Sequence, residues 1–171
     1  MPDWFGGEMD NDGAGVMKLA GPLADRDNWA VADLCPMEHA LEVIGTHSAM
    51  VLLREVLWGG RRFDDLARRA GVTEQIAAKR LRQLVDAGLL AKRPYRQPGQ
   101  RTRYEYVLTE RGRDLFPVLL SLIEFGRLLQ GETKRLEFVH EGCGAALVPQ
   151  IRCGAGHDVS LSEATARIAK H

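Results

Sequence analysis

The sequence has no long hydrophobic run, since no stretch approaches the roughly 20 consecutive apolar residues that a transmembrane helix needs. Its first residues are acidic and rich in glycine, which is not the pattern of a secretory signal peptide. Cysteine is scarce as well, with 3 among 171 residues. Thiols in a chain without a signal peptide are expected to stay reduced. These features favour a cytoplasmic protein that neither spans a membrane nor depends on disulfides.

The common catalytic signatures are absent too. The chain has no G-x-x-x-x-G-K-[ST] phosphate loop, no H-E-x-x-H metal motif and no G-x-S-x-G nucleophile turn. No pair of carboxylates stands out as a general acid and base. We therefore expect that the protein is not an enzyme.

Charge is unevenly distributed along the chain. The whole sequence is neutral, with 23 basic and 23 acidic residues. Residues 61–103 nevertheless contain twelve Lys and Arg against four Asp and Glu, a net charge of +8, so the remainder carries −8. Such a basic segment is typical of a surface that binds a polyanion. The alternative is an ordinary solvated face, but those carry both signs in comparable number.

A helix-turn-helix pattern lies within this basic segment. Thr73 suits the start of a helix because its hydroxyl can accept a hydrogen bond from a free backbone N–H, and Gly88 suits its end. Apolar residues between them recur at helical spacing and predict one buried stripe, formed by Ile76, Ala77, Leu81, Leu84 and Val85. Residues 63–71 predict a shorter helix that precedes a three-residue turn. The second helix of such a pair enters the major groove of DNA.

The residues after Gly88 predict a β-hairpin with a basic tip. Residues 89–93 form the first run, Pro98-Gly99 the turn, and residues 101–108 the second run. A hairpin in this position is the wing of a winged helix.

Further helices are predicted on both sides of the winged helix. Residues 36–44 and 48–57 form two of them, with Arg54 and Glu55 facing outward. A long helix starts at Thr109 and runs to about Gln130, with more apolar surface than a lone terminal helix can bury. We therefore expect a homodimer. The predicted fold class is α+β, mostly helical: a winged helix-turn-helix domain with flanking dimerisation helices and a small C-terminal Cys/His tail.

Over roughly Cys35 to Gly126 the chain resembles the HxlR-type winged-helix regulators. The matching residues are Cys35-Pro36, Leu41, Ile44-Gly45, Leu53-Arg54-Glu55, Gly59, Arg62-Phe63, Leu66, Arg80-Leu81, Leu84, Gly88-Leu89, Glu105-Tyr106, Leu108-Thr109 and Gly112. The resemblance implies a dimeric bacterial transcription factor whose dimer contacts come from the first and last helices of the domain. The chain departs from the family pattern at Thr46-His47-Ser48, where members usually have Gly-Lys-Trp.

Candidate DNA contacts lie on the second helix and the wing. Gln, Lys and Arg read base edges and Ala can contact a thymine methyl, so the residues expected to read bases are Gln75, Ala78, Lys79 and Arg82. Thr73 is expected at a phosphate, at the helix N-terminus. Arg80 is expected either at a phosphate or on an internal carboxylate. The wing residues Arg96, Arg101 and Arg103 are expected at the minor groove or the backbone, where they add affinity more than sequence preference.

Two features outside this surface suggest regulation or metal binding. Cys35, at the start of a helix, is a candidate redox-sensing thiol or else a partly buried small apolar residue. The tail places two Cys-Gly turns around a predicted strand, Leu147 to Arg152, and its candidate zinc ligands are His140, Cys143, Cys153 and His157. Either these four hold a structural zinc at unusual spacing, or the tail is a metal-free remnant of such a site.

The sequence thus predicts three parts: a flexible N-terminal arm at 1–33, the winged-helix domain with its dimerisation helices at 34–130, and a C-terminal extension at 131–171. The predicted function is a sequence-specific transcriptional regulator, a dimeric repressor of a palindromic double-stranded operator that responds to a small molecule or a redox signal. An apolar effector could bind near Phe116, Phe125, Met50 and Trp58. The alternative is a winged-helix module that contacts proteins without sequence-specific DNA binding.

Overall fold

The structure, a computed structural model, describes residues 16–25, 27, 35–96, 99, 101–130 and 136–169. Most of the predicted arm, and Pro98 of the predicted turn, lie outside these residues. Among the described residues, no helix is both long enough and apolar enough to cross a membrane. The chain divides into two compact units. One combines the N-terminal residues up to Cys35 with the residues from Gln150 onward, and the other spans Pro36–Pro149.

The element order confirms the predicted fold class, a mostly helical winged helix-turn-helix. The elements are β1 (Lys18–Leu19), α1 (Pro36–Ile44), α2 (His47–Leu57), α3 (Phe63–Ala70), α4 (Glu74–Asp86), β2 (Leu90–Tyr95), β3 (Arg103–Leu108), α5 (Glu110–Arg113), α6 (Phe116–Gln130) and β4 (Thr165–Ala166). β2 and β3 pair antiparallel, with Leu90 opposite Leu108 and Tyr95 opposite Arg103. Residues equidistant from Gly99 therefore face each other across the wing.

Helix α2 is the centre of the larger unit. Elements α1, α3, α4, β3 and α6 all pack against it. Its Leu52 and Leu53 are fully buried, together with Leu66, Leu81, Leu84 and Leu90 from its neighbours. Burying leucines of this kind is worth roughly 1.5–3 kcal/mol each relative to leaving them exposed, so this cluster contributes strongly to stability. It also fixes the position of α4.

The prediction that Glu55 faces outward is wrong. This side chain is only 5% exposed, and Arg54, which is half-buried, donates to its Oε1 from Nη2 at 2.7 Å. The error follows from the position of α2, because a helix with neighbours on several sides has no face left for solvent. A carboxylate in such a place requires a charged partner, which the adjacent residue supplies.

The long helix predicted from Thr109 to Gln130 is two helices. Thr109 does cap the first, since Gly112 N donates to Thr109 Oγ1 at 3.0 Å. α5 then ends at Arg113 and α6 begins at Phe116. The break arises from Pro117, the second residue of α6, because its nitrogen has no hydrogen to donate to the carbonyl oxygen of Arg113 four residues earlier.

The smaller unit contains the parallel pair β1 and β4. Lys18 N donates to Ala164 O at 3.0 Å, and Ala20 N donates to Ala166 O at 2.9 Å. A stretch of the predicted arm is thus ordered through hydrogen bonds to residues near the C-terminus. The predicted division at residues 33 and 130 stays a prediction.

The strand predicted between Leu147 and Arg152 is wrong. Within the described part of the tail, this stretch contributes one isolated bridge, from Arg152 to Asp158. Another bridge joins Val139 to Ala146. Pro149 lies in the middle of the predicted strand and lacks the N–H that continuous pairing needs.

Candidate nucleic-acid interface

Helices α3 and α4 are joined by a turn whose geometry follows from single residues. Gly71 ends α3 in the left-handed conformation, at φ 66°, which glycine adopts without steric cost. Thr73 begins α4 as predicted, since its Oγ1 accepts from Ile76 N at 3.3 Å. Backbone torsions and one hydroxyl thus set the angle between the two helices. The position of both helices relative to α2 comes from their packing against it.

Helix α4 has one buried face and one exposed polar face. Ala77, Leu81 and Leu84 are fully buried. The four residues predicted to read bases are all exposed: Gln75, Ala78, Lys79 and Arg82. Their spacing of three and four residues places them along one side of the helix. The structure therefore presents these four side chains together, clear of the core.

One residue of the predicted apolar stripe is not buried. Ile76 is 43% exposed and Val85 is half-buried. The buried face follows the spacing of Ala77, Leu81 and Leu84, and Ile76 lies about 100° away around the helix axis. The prediction for Ile76 is therefore wrong.

Arg80 points toward α2 and contacts two neutral groups. Its Nε donates to Ser48 Oγ at 3.2 Å and its Nη1 donates to Gln83 Oε1 at 2.7 Å. Ser48 belongs to the segment that departs from the family pattern, and Thr46 in the same segment caps α2 by accepting from Ala49 N at 3.2 Å. Sequence reasoning missed Ser48 because it is 32 residues from Arg80 in the chain. The pair links α4 to α2.

The wing residues Arg96, Arg101 and Arg103 are exposed at or near the tip of the hairpin. Glu105 lies further from the tip of the same hairpin and contacts two arginines of the basic segment. Arg93 Nε donates to Glu105 Oε1 at 2.6 Å, and Arg61 Nη1 lies 3.8 Å from the same oxygen. Sequence reasoning missed this role, although Arg93 and Glu105 are equidistant from Gly99 and the hairpin register makes them partners.

Tyr106 connects the wing to the rest of the surface. Its backbone N donates to Arg61 O at 2.8 Å, which adds residues 61 and 62 to the edge of the hairpin. Burial raises the pKa of the Tyr106 hydroxyl, and the positive charge of Arg82 opposes that rise. α4 also packs against β2, the other strand of the hairpin. Helix and wing form one continuous surface.

The other predicted site residues lie elsewhere. Cys35 directly precedes α1 and is half-buried with a free thiol. In the larger unit, His140 Nδ1 is 3.2 Å from Cys143 Sγ. In the smaller unit, Cys153 Sγ is 3.5 Å from His157 Nδ1. Backbone N–H groups of that turn, led by that of His157, lower the pKa of the exposed Cys153 thiol. The described residues hold no group of three or more His, Cys, Asp or Glu placed to bind a metal.

Comparisons with known proteins agree with this geometry. Residues 43–134 match the family model described as HxlR-like helix-turn-helix. An uncharacterized HTH-type transcriptional regulator of Mycobacterium tuberculosis strain H37Rv, Rv3095, is 36% identical over 129 residues, which cover 74% of this chain and 80% of that protein. The crystal structure of PA1607 matches with a TM-score of 0.70 and 28% identity, over 82% of this chain and 98% of that one. The redox regulator HypR, in its reduced form, matches with a TM-score of 0.51 and 31% identity, over 56% of this chain and 94% of that one.

Proposed function

The chain belongs to the HxlR-like helix-turn-helix family, and from its winged-helix surface we propose that it is a dimeric, sequence-specific repressor of transcription. Family and relatives identify it as a DNA-binding transcriptional regulator. The observation that carries the sequence-specific part is the exposed side of α4. Gln75, Lys79 and Arg82 can each donate to base edges in the major groove, and the opposite face of α4 is fully buried.

The dimer proposal is supported by apolar surface on the first and last helices of the domain. In α1, Met37 is 62% exposed and Leu41 is 51% exposed. In α6, Phe125 is 56% exposed and Leu129 is 72% exposed. Exposed apolar surface of this kind is typical of a contact with a partner copy. Two copies would read two half-sites about one DNA turn apart.

The proposed function is tested by selecting bound duplexes from a random pool and measuring the mass of the complex. We expect enrichment of a sequence with two inverted half-sites, bound by twice the mass of one chain. Competition with heparin at moderate salt separates sequence-specific binding from simple charge attraction. A monomer without preference for any duplex would contradict the proposal.

We expect Arg101→Ala to weaken binding to every duplex alike, because a wing arginine at the backbone contributes charge rather than base reading. The slope of log affinity against log salt concentration should become shallower by about 0.9, the contribution of one phosphate. Gel-shift titrations of the selected operator and of an unrelated duplex at several salt concentrations measure both effects. A loss confined to the operator would instead place Arg101 at a base.

For Cys35 we propose a redox-sensing role, since its thiol is free and half-buried at the start of α1. The likeness to HypR, which is described as a redox regulator, supports this role. Diamide should release the protein from its operator, and Cys35→Ser should abolish that release. Cys143→Ser is the matched control and should respond as the native protein does. If the control loses the response instead, the sensing thiol lies in the tail.

For the tail we propose a metal-free remnant of a zinc site. Each His–Cys pair supplies two donors, whereas a structural zinc takes four. Metal analysis of the purified protein should find zinc only in trace amounts, and Cys153→Ser should leave the melting temperature unchanged. One zinc per chain would overturn this proposal and favour the four-ligand alternative.

We also propose the cytoplasm as the place of action, because a regulator must share a compartment with the DNA it controls.

A further inference from the structure

An apolar cavity of about 120 Å³ lies between the end of α2 and the side of α6. Trp58 lies on the α2 side, and Phe116 and Ile123 lie on the α6 side. Phe138, from the chain that follows α6, adds a further aromatic wall. All of these residues belong to the larger unit. Two of the rings remain partly open to solvent, since Trp58 is 48% exposed and Phe116 is 39% exposed.

The volume limits what the cavity can hold. An engineered cavity of about 150 Å³ lined by Leu, Ile and Phe stays dry and binds benzene. The cavity here, at about 120 Å³, is of similar size and has an open mouth. It therefore accommodates one aromatic ring with a small substituent that points outward, and it is too small for a fused polycyclic molecule.

Among the described residues that line the cavity, Arg54 is the one with a charged side chain, and it is already paired. Its Nε and Nη2 lie 3.2 Å and 2.7 Å from Glu55 Oε1. Its guanidinium also lies 4.8 Å from the centre of the Trp58 ring. A guanidinium has five N–H donors, and the two hydrogen bonds to Glu55 use two of them. The pair is neutral overall, so it can donate a hydrogen bond to a ligand but offers no net charge to attract an anion.

A carboxylate would meet a further obstacle in this cavity. Glu55 is only 5% exposed, so water screens its negative charge poorly. The carboxylate of a ligand beside Arg54 would be repelled by the negative charge of Glu55 and would also lose its own hydration. A carbonyl oxygen carries no such penalty.

We propose that this cavity binds a small uncharged aromatic molecule with one hydrogen-bond acceptor, of the class of aryl aldehydes, ketones and amides. The ring lies among Trp58, Phe116 and Phe138, and the acceptor faces Arg54. The role of such a molecule as an effector rests on the proposed function. α2 packs against both α6 and α4, so a molecule wedged beside α2 and α6 can shift the helix that presents the base-reading residues.

Three fluorinated probes of matched size test the site without DNA. They are 4-fluoroacetophenone, 4-fluorobenzoate and 4-fluorotoluene, and fluorine NMR of the full chain follows their binding. We expect saturable binding of the ketone, binding of the toluene weakened by about fivefold for the lost hydrogen bond, and binding of the benzoate weakened by at least about tenfold. Equal or tighter binding of the benzoate would overturn the assignment of ligand class.

Two variants locate the binding, and one serves as a control. Ile123→Phe fills the cavity and should abolish saturation. Phe138→Ala removes a wall from outside the helical core and should weaken the ketone while leaving the fold intact. Leu128→Phe enlarges an exposed residue of α6 outside the cavity and should bind as the native protein does. Native affinity in Ile123→Phe, or no binding of any probe to the native protein, would overturn the site.

Gel shifts with and without 4-fluoroacetophenone separate the site from the function. A native protein that binds no operator even without the probe contradicts the proposed function and leaves the NMR result standing. A probe that saturates the cavity but leaves operator affinity unchanged overturns the effector role.

Discussion

Lys79→Ala should lower affinity for the selected operator by about 5- to 150-fold, which corresponds to the roughly 1–3 kcal/mol that a good contact to a base edge provides. Lys79 is exposed next to Ala78 on the polar side of α4, opposite the buried Leu81, so its removal takes away a contact without creating a cavity. Since lysine prefers guanine, discrimination at one position of each half-site should relax as well. Gel-shift titrations against operators with single base changes measure both effects.

A charge-matched control separates base reading from simple charge loss. Arg152 is exposed in the tail, where its Nε donates to Asp158 Oδ1 at 2.7 Å. Arg152→Ala removes the same charge and should leave operator affinity and base preference unchanged. If Lys79→Ala weakened every duplex to the same extent, as expected of Arg101→Ala, then Lys79 would contact the backbone and the base-reading proposal for this residue would be wrong.

Gly112→Ala should destabilise the protein by about 3 kcal/mol, the upper end of the usual cost of overpacking, and lower the melting temperature by roughly 10 °C. A Cβ at this position would lie 2.1 Å from the backbone oxygen of Leu89. That oxygen also accepts from the backbone N of Thr109 at 3.1 Å, so it cannot move without loss of a hydrogen bond. The hydroxyl of Thr109, which caps α5, donates to Gly88 O at 2.6 Å. The strain therefore falls where the end of α4, the wing and α5 meet.

Gly126→Ala provides the control for this substitution. Gly126 also lies in a helix, but an added Cβ there meets nothing within 4 Å. Alanine should therefore stabilise α6 by roughly 0.5–1 kcal/mol. Thermal unfolding followed by circular dichroism measures both variants. Equal melting temperatures would contradict the close packing at Gly112.

Local features of the fold were predictable from the sequence. The caps at Thr73 and Thr109 and the helix end at Gly71 depend on residues within one turn of each other, so short-range chemistry decides them. The exposed side of α4 followed from helical periodicity in the same way. The break before α6 was also local, and Pro117 could have revealed it, because proline is tolerated in the first turn of a helix but not in its interior.

Features that depend on tertiary contacts were not predictable. The burial of Glu55 follows from the neighbours around α2, and no periodicity within α2 contains that information. The contact of Arg80 with Ser48 joins residues from separate helices. For this reason the sequence left two partners open for Arg80, a phosphate and an internal carboxylate. The structure gives it a hydroxyl and an amide oxygen, and its contact with DNA stays a prediction.

The carboxylate of Glu105 changes how many ions the basic surface can release. Arg93 and Arg61 both lie against this carboxylate, which neutralises part of their positive charge. Fewer dissolved anions therefore gather around these two arginines. When a duplex arrives, the gain in entropy comes from ions that leave the two molecules, and arginines with a built-in counterion contribute less to it. The salt dependence of binding should therefore be shallower than twelve cations would suggest. Sequence discrimination would then persist at salt concentrations that dissociate complexes held mainly by charge.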